Sequence, residues 1–311
     1  VQSIREPLSP GAYVEYSVDD QPGVVERARA YLAGAPCEPV APRRAATVML
    51  VSEGKPHYRR FESPLAGGAP IEETVDAAPV DVFMLRRAST MAFTPDAVVF
   101  PGGGMDARDV ECAVPWAGPS PEQWARLMSC TEPEARGIIT AAAREVFEES
   151  GVLLASAPGG AAPIDERGDH WACEREAVAT RQISFGEFLR ERGLVLRSDL
   201  MRLRSHWVTP ESEARRYDTY FFLARLPEGQ HADGRTSEAV EAAWIAPGEA
   251  LMRFDAGLLK LVPPTISNLT SIVAATSVDE AWNTPFDGHV RPHPVARACG
   301  EVVLGCEVSE T

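Results

Sequence analysis

At 311 residues and 45% hydrophobic content, the chain can bury a sizeable core, as one large domain or two small ones. Its net charge of −15 excludes a general nucleic-acid binder, because neutralising phosphates needs a basic surface. No apolar run approaches the roughly 18 residues of a membrane span, and six scattered cysteines without a CxxC pair read as reduced thiols.

Residues 1–44 are rich in Pro, Gly and Ala and hold one helical candidate, 24–32, after the turn-like Asp19-Asp20-Gln21-Pro22-Gly23. They read as an N-terminal arm. Strands are predicted over 45–51, 80–86 and 97–100, with a long loop over 53–79 between the first two. The third strand runs into Pro101-Gly102-Gly103-Gly104, a turn where backbone must approach something closely. From about 110 to 130 comes a segment marked by Pro115, Gly118, Pro119 and Pro121, with a short amphipathic helix over 122–128. Thr131 and Glu134 then form a capping box with Pro133 in the first turn, opening a helix that stops at Gly151.

Beyond a Pro/Gly/Ala loop at 155–168, helices are expected over 172–182 and, from the Ser184/Glu187 capping box, to residue 192. Strands over 217–224 and 239–245 precede helices over 247–254 and 264–274. The main domain is drawn at 45–275, and residues 276–311 read as a C-terminal tail with a strand over 301–304. Helices and strands mix without a strict βαβ repeat, which predicts an α+β fold.

The helix over 131–150 carries the chemistry. Glu145, Glu148 and Glu149 stand at i, i+3 and i+4 and share one face, while Val146 and Phe147 point elsewhere as core residues would. Three like charges on one face repel. Either the face is simply solvated, or a hard divalent cation such as Mg²⁺ or Mn²⁺ sits among the carboxylates. Arg144 just before them is placed to buttress the cluster.

Phe100-Pro101-Gly102-Gly103 followed by Arg144-Glu145-Val146-Phe147-Glu148-Glu149-Ser150-Gly151-Val152 resembles the Nudix box. The second half matches at every defined position. The first half departs from it, with Asp109 where the family has Glu and 41 positions (144 minus 103) between Gly103 and Arg144 where the family has 14. A box split in this way is similar to that of the coenzyme A diphosphatase branch, as are the stretches 83–89, 206–210 and 216–222. The resemblance implies an α/β/α sandwich around a mixed sheet, with the insertion interrupting the box. It implies metal ligation by Glu145, Glu148 and Glu149, with the Gly103 carbonyl and Asp109 as further candidates. Glu149, Glu145 or Glu238 would accept the proton of the attacking water, with Arg144 in support. Arg86, Arg87, Arg216 and Phe100 are the substrate-binding candidates, with Arg215 beside Arg216 also able to meet a phosphate, and the insertion is expected to wall the cleft.

The implied substrate is coenzyme A or an acyl-coenzyme A, cleaved to adenosine 3′,5′-bisphosphate and a phosphopantetheine. ADP-ribose, NADH and isoprenyl diphosphates stay open, as does a Nudix module that senses a nucleotide without hydrolysing it. The only partner expected is a small-molecule diphosphate, without nucleic acid or membrane, and a homodimer is left open. The chain ends Ser309-Glu310-Thr311 instead of the peroxisomal Ser-Lys-Leu, so a cytoplasmic location is expected. His289 and His293 are four apart, but Pro292 breaks any helix between them, so they read as a solvated tail and not a zinc pair. Ser89 and Ser184 have no recognisable partner for nucleophilic catalysis.

Overall fold

A strand buried on both faces needs apolar residues at almost every position, and within residues 43–53 the run 45–51 supplies them. In the computed structural model, which describes residues 7–19, 21–36, 38–54, 78–90, 94–111, 114–160, 171–236 and 238–310, this strand is the pivot of the fold. The strands are β1 (Tyr13–Ser17), β2 (Arg43–Glu53), β3 (Val80–Arg87), β4 (Val98–Val99), β5 (Gly102–Gly104), β6 (Trp116–Ala117), β7 (Ala155–Ser156), β8 (Val195–Arg197), β9 (Met201–Val208), β10 (Tyr217–Arg225), β11 (Ala239–Ile245), β12 (His289–Ala296) and β13 (Val302–Ser309). The helices are α1 (Pro22–Leu32), α2 (Ala107–Glu111), α3 (Pro121–Met128), α4 (Glu132–Ser150), α5 (Ala172–Ala179), α6 (Phe185–Glu191), α7 (Pro247–Asp255), α8 (Pro263–Ile272) and α9 (Val278–Asn283). Most of the loop expected over 53–79, and residues 161–168 of the later one, lie outside the described residues.

The main sheet runs β1-β13-β12-β9-β10-β2-β3-β11, with β4 beside β3 and β5 beside β2. It is mixed, with β10 parallel to β2 and antiparallel to β9. Alternation along β2 sends Ala46, Val48 and Leu50 into one core with Ile138, Ile139, Ala142 and Val146 of α4. Met49 and Val51 enter the opposite core with Leu269 and Ile272 of α8. Helices thus cover both faces, the expected α/β/α sandwich. Phe147, fully buried, stacks on Phe188 of α6 at 5.1 Å; truncating it to Ala would cost about 3–5 kcal/mol. The capping box at Thr131 is present, and Gly151 ends α4 at φ 73°, donating its N–H to the Phe147 carbonyl.

The two ends of the chain, expected as an arm and a tail packed on the main domain, supply strands to its sheet. Residues 13–17 pair along their whole length with β13, from Tyr13 against Glu307 to Ser17 against Val303, and β13 pairs in turn with β12. The expected arm and tail together extend the main sheet by three strands. His289 is 8% exposed, so the solvated-tail reading is corrected there. Pro292 and Pro294 bar a helix but not this strand. Past Val290 the β9 side of β12 has no ladder partner among the described residues, which is where a strand tolerates the missing N–H of proline.

The insertion also differs. Within it, α3 packs along α4, Trp124 meets Phe222 edge-on at 5.8 Å, and the Met128 carbonyl accepts a hydrogen bond from the Tyr220 hydroxyl. No described residue between 110 and 130 lines the cleft described below. Its amphipathic face fills the core where a cleft wall was expected. Among the described residues no helix is long and apolar enough to cross a membrane, and Cys130, Cys173, Cys299 and Cys306 are free thiols.

Candidate active site

The site forms where β5 brings a run of glycine backbone against one face of α4. Register fixes the approach, with Gly102 opposite Thr47, Gly103 opposite Ala46 and Gly104 opposite Ala45. The Gly102 N–H donates to Glu149 Oε2 at 2.8 Å. A Cβ on Gly103 would stand 2.3 Å from Glu145 Oε1, so any side chain there would expel that carboxylate. The glycine run is a cradle for two of the helix acids.

Arg144 ties the cluster together. Its Nη1 donates to Glu145 Oε1 at 2.8 Å and to Glu148 Oε1 at 3.2 Å. Its Nη2 donates to the Gly104 carbonyl at 2.9 Å. Asp109, carried in by α2, accepts Nε on Oδ1 at 3.0 Å and Nη2 on Oδ2 at 3.1 Å. Asp109 Oδ2 also accepts the Asp106 N–H at 2.8 Å. Asp109 was a candidate metal ligand from sequence; its oxygens are instead engaged in holding Arg144.

One guanidinium cannot balance this many acids. Burial pushes Glu145 up to about 7, with the Glu148 charge adding to it against the pull of Arg144. Burial and the charge of Glu145 hold Glu149 well above the usual carboxylate range, although the Gly102 N–H opposes them. Glu148 is raised as well, chiefly by burial. Among the described residues no three His, Cys, Asp or Glu side chains converge as a ready-made metal cage. A Mg²⁺-like ion does not require one: it keeps several waters and takes one or two carboxylates. The all-oxygen donors, the surplus negative charge and the glycine cradle fit a hard dication.

Glu145, Glu148 and Gly103 line one end of a cleft of about 1390 Å³ that runs over the sheet toward the starts of α1 and α8. Arg87 and Glu238 line it too, with Glu238 entering from the start of β11, where its carbonyl accepts the Ala88 N–H. The other expected substrate residues are placed differently. Arg86 is 6% exposed and pairs with Glu241 at 2.9 Å across the β3–β11 register, so it braces the sheet instead of meeting a ligand. Arg216 donates to the Thr209 and Val40 carbonyls and is a loop brace outside the cleft lining. Phe100, 2% exposed, lies in the floor as part of the core. Arg215, a phosphate-binding candidate from sequence, lines the cleft; Arg43, Arg44, Arg108 and Lys260, which the sequence did not single out, line it too. Arg215 and Arg216 stand in the loop before β10, where the Thr209 and Val40 carbonyls engage Arg216 and Arg215 is the one that lines the cleft.

The chain matches the profile of the NUDT19 Nudix domain over residues 125–272. It is 30% identical over 282 residues to the acyl-coenzyme A diphosphatase NUDT19 of Gallus gallus, covering 76% of this chain and 70% of that protein. The Homo sapiens protein of the same description is 28% identical over 273 residues, with 76% and 70% covered. Among solved structures, a Nudix hydrolase from Alicyclobacillus acidocaldarius superposes with a TM-score of 0.59 at 26% identity, covering 80% of this chain and 99% of its own.

Proposed function

Because this chain belongs to the Nudix hydrolase family, a family of enzymes that generally need divalent metal ions, we propose that it cleaves the diphosphate of coenzyme A or an acyl-coenzyme A. The products would be adenosine 3′,5′-bisphosphate and the corresponding phosphopantetheine. The observation that carries the reading is the surplus of carboxylates on one turn of α4, with Glu149 held by the Gly102 N–H, Glu145 packed against Gly103, and Glu145 and Glu148 lining a cleft large enough for an extended dinucleotide-sized ligand. The description of the vertebrate relatives as acyl-coenzyme A diphosphatases supports the choice of substrate.

Glu145, Glu148 and Glu149 would hold Mg²⁺ or Mn²⁺, with the Gly103 carbonyl beside them. Such an ion supplies charge neutralisation at the bridging phosphate oxygens and lowers the pKa of a bound water. The protein's own contribution is preorganisation. Arg144, locked by Asp109 and the Gly104 carbonyl, fixes the rotamers of Glu145 and Glu148, so no reorganisation is needed when substrate arrives. Arg87 supplies a cation to the diphosphate from the β3 side. Glu238 is the favoured proton acceptor for the attacking water, because it lines the cleft from a separate element and stands outside the Arg144 network. Glu145 and Glu149 are each committed to a hydrogen bond with a neighbour.

The test is a panel of coenzyme A, an acyl-coenzyme A, ADP-ribose and NADH, incubated with the full chain and Mg²⁺ or Mn²⁺, with products identified by mass. Release of adenosine 3′,5′-bisphosphate that stops on chelation is expected. Turnover confined to ADP-ribose or NADH would overturn the substrate assignment.

A further inference from the structure

The cations along the cleft divide into two sets. Arg144 serves the acids of α4, Arg44 pairs with Glu134 and Asp218, Arg27 with Glu213, and Arg108 with Asp106. Arg43 and Arg215 also line the cleft, yet among the described residues neither guanidinium has an acid, carbonyl or hydroxyl partner. Their backbones are nevertheless fixed. The Arg43 N–H donates to the Arg216 carbonyl at 2.9 Å, and Arg43 stands in register with Tyr217. The loop carrying Arg215 is closed by Thr209 N–H to the Tyr217 carbonyl at 2.9 Å and by Tyr217 N–H to Thr209 Oγ1 at 3.0 Å. Arg216 adds its own bonds to the Thr209 and Val40 carbonyls. Two uncommitted arginines that line the same cleft are thus mounted on adjoining, hydrogen-bonded backbone.

Their distance from the reaction centre is set by the strand. Arg43 lies three residues along β2 from Ala46, the partner of Gly103, which is roughly 10 Å at the rise of an extended chain. That spacing leaves room for a second anion beyond the phosphate groups held at α4. We propose that Arg43 and Arg215 form an anion subsite that takes the 3′-phosphate on the ribose of the substrate. This rests on the coenzyme A reading above. Of the two halves of that substrate, only the nucleotide half carries a further phosphate; the pantetheine arm is uncharged. The forked donors of arginine match a phosphate monoester bidentately, which a single lysine cannot do. The subsite makes the enzyme discriminate coenzyme A from its 3′-dephospho form, and it orients the nucleotide half toward α1 and the 209–217 loop.

The experiment compares kcat/KM for coenzyme A and for 3′-dephospho-coenzyme A in wild type, Arg43→Gln, Arg215→Gln and the double variant. Calorimetric titrations of adenosine 3′,5′-bisphosphate and of AMP are run alongside. The coenzyme A to dephospho-coenzyme A ratio is expected to fall by about tenfold in the double variant, mostly through KM, as for the loss of a charged hydrogen-bonded contact. The bisphosphate should lose its affinity advantage over AMP by the same factor. An unchanged ratio overturns the subsite, whether both rates fall together or neither moves. If no coenzyme A compound is cleaved by the wild type, the substrate reading fails on its own terms, and the bisphosphate and AMP titrations still decide whether the anion subsite exists. Should the double variant not fold, the Arg215→Gln chain, altered at an exposed loop position, carries the same comparison.

Discussion

Two buried clusters of charge sit in this fold, and they are built on opposite accounts. At α4, Asp109, Glu145 and Glu148 gather around Arg144 with Glu149 beside them on the Gly102 N–H, and burial, with neighbouring negative charge, pushes the three glutamates up in pKa. In the seam between β9 and β12, the fully buried Arg204 donates to the Thr284 and Pro285 carbonyls, to Ser271 Oγ and to Asp287. Beside it, His206 bridges His289 Nδ1, at 2.6 Å, and Asp218, which also pairs with Arg44. That seam pairs cation with anion inside the protein, although burial still raises Asp287 to about 7 and leaves Arg204 Nε and Asp287 Oδ2 without a hydrogen-bond partner among the described residues. The α4 cluster is left with a deficit of positive charge, and an enzyme that works on phosphates with a dication has use for such a deficit. Paired charge makes structure here, and unpaired charge makes a site.

The sharpest way to break the contrast is to remove one charge from each cluster. Glu148→Gln should lower kcat by about a hundredfold or more, the scale of losing a group that acts in the transition state. Its thermal midpoint should hold or rise, since a repulsive charge has gone. A fall in midpoint matching the fall in activity would mean that the acids are structural. In the seam the effect reverses: Arg204→Ala should cost about 3–5 kcal/mol in urea unfolding, because Asp287 is left buried without its partner. A loss below about 1 kcal/mol, the size of a surface pair, would show that the seam is wetter than it looks.

The smallest effect concerns pH. Burial, helped by the neighbouring His206, lowers His289 from 6.5 to about 4. A histidine depressed in the folded state stabilises above its unfolded pKa, and the contribution is lost as pH falls through the folded value. Stability should therefore drop between pH 6.5 and about 4, and His289→Gln should flatten that part of the profile measured by chemical denaturation. An unaltered slope would remove the histidine pair from the seam's account.

The legible part of this chain is the part governed by local rules. The capping box at Thr131, the stop at Gly151 and the shared face of Glu145, Glu148 and Glu149 all follow from helix geometry within a few turns, and each is present. Apolar β2, β3 and β10 announce themselves in the same way. Strand β9 does not, because Arg204, Ser205 and His206 interrupt its apolar pattern; they are buried only because long-range partners from α8, β12 and the 284–287 segment satisfy them. The prolines of β12 hid that strand for a similar reason, since whether a missing N–H matters depends on which neighbour, if any, lies alongside.

Chemistry of the residues was thus open to inspection along the chain, whereas their neighbours across it were not. Asp109 reads as an acid near the box, but whether it ligates a metal or clamps Arg144 depends on how α2 packs on α4. Arg86, Arg87, Arg215 and Arg216 are alike as symbols; a sheet partner at Glu241 takes Arg86 out of the cleft, and carbonyls at Thr209 and Val40 do the same for Arg216. Helical spacing is a property of a dozen consecutive residues and survives any packing. A counter-ion contributed from a hundred positions away exists only once the sheet has closed.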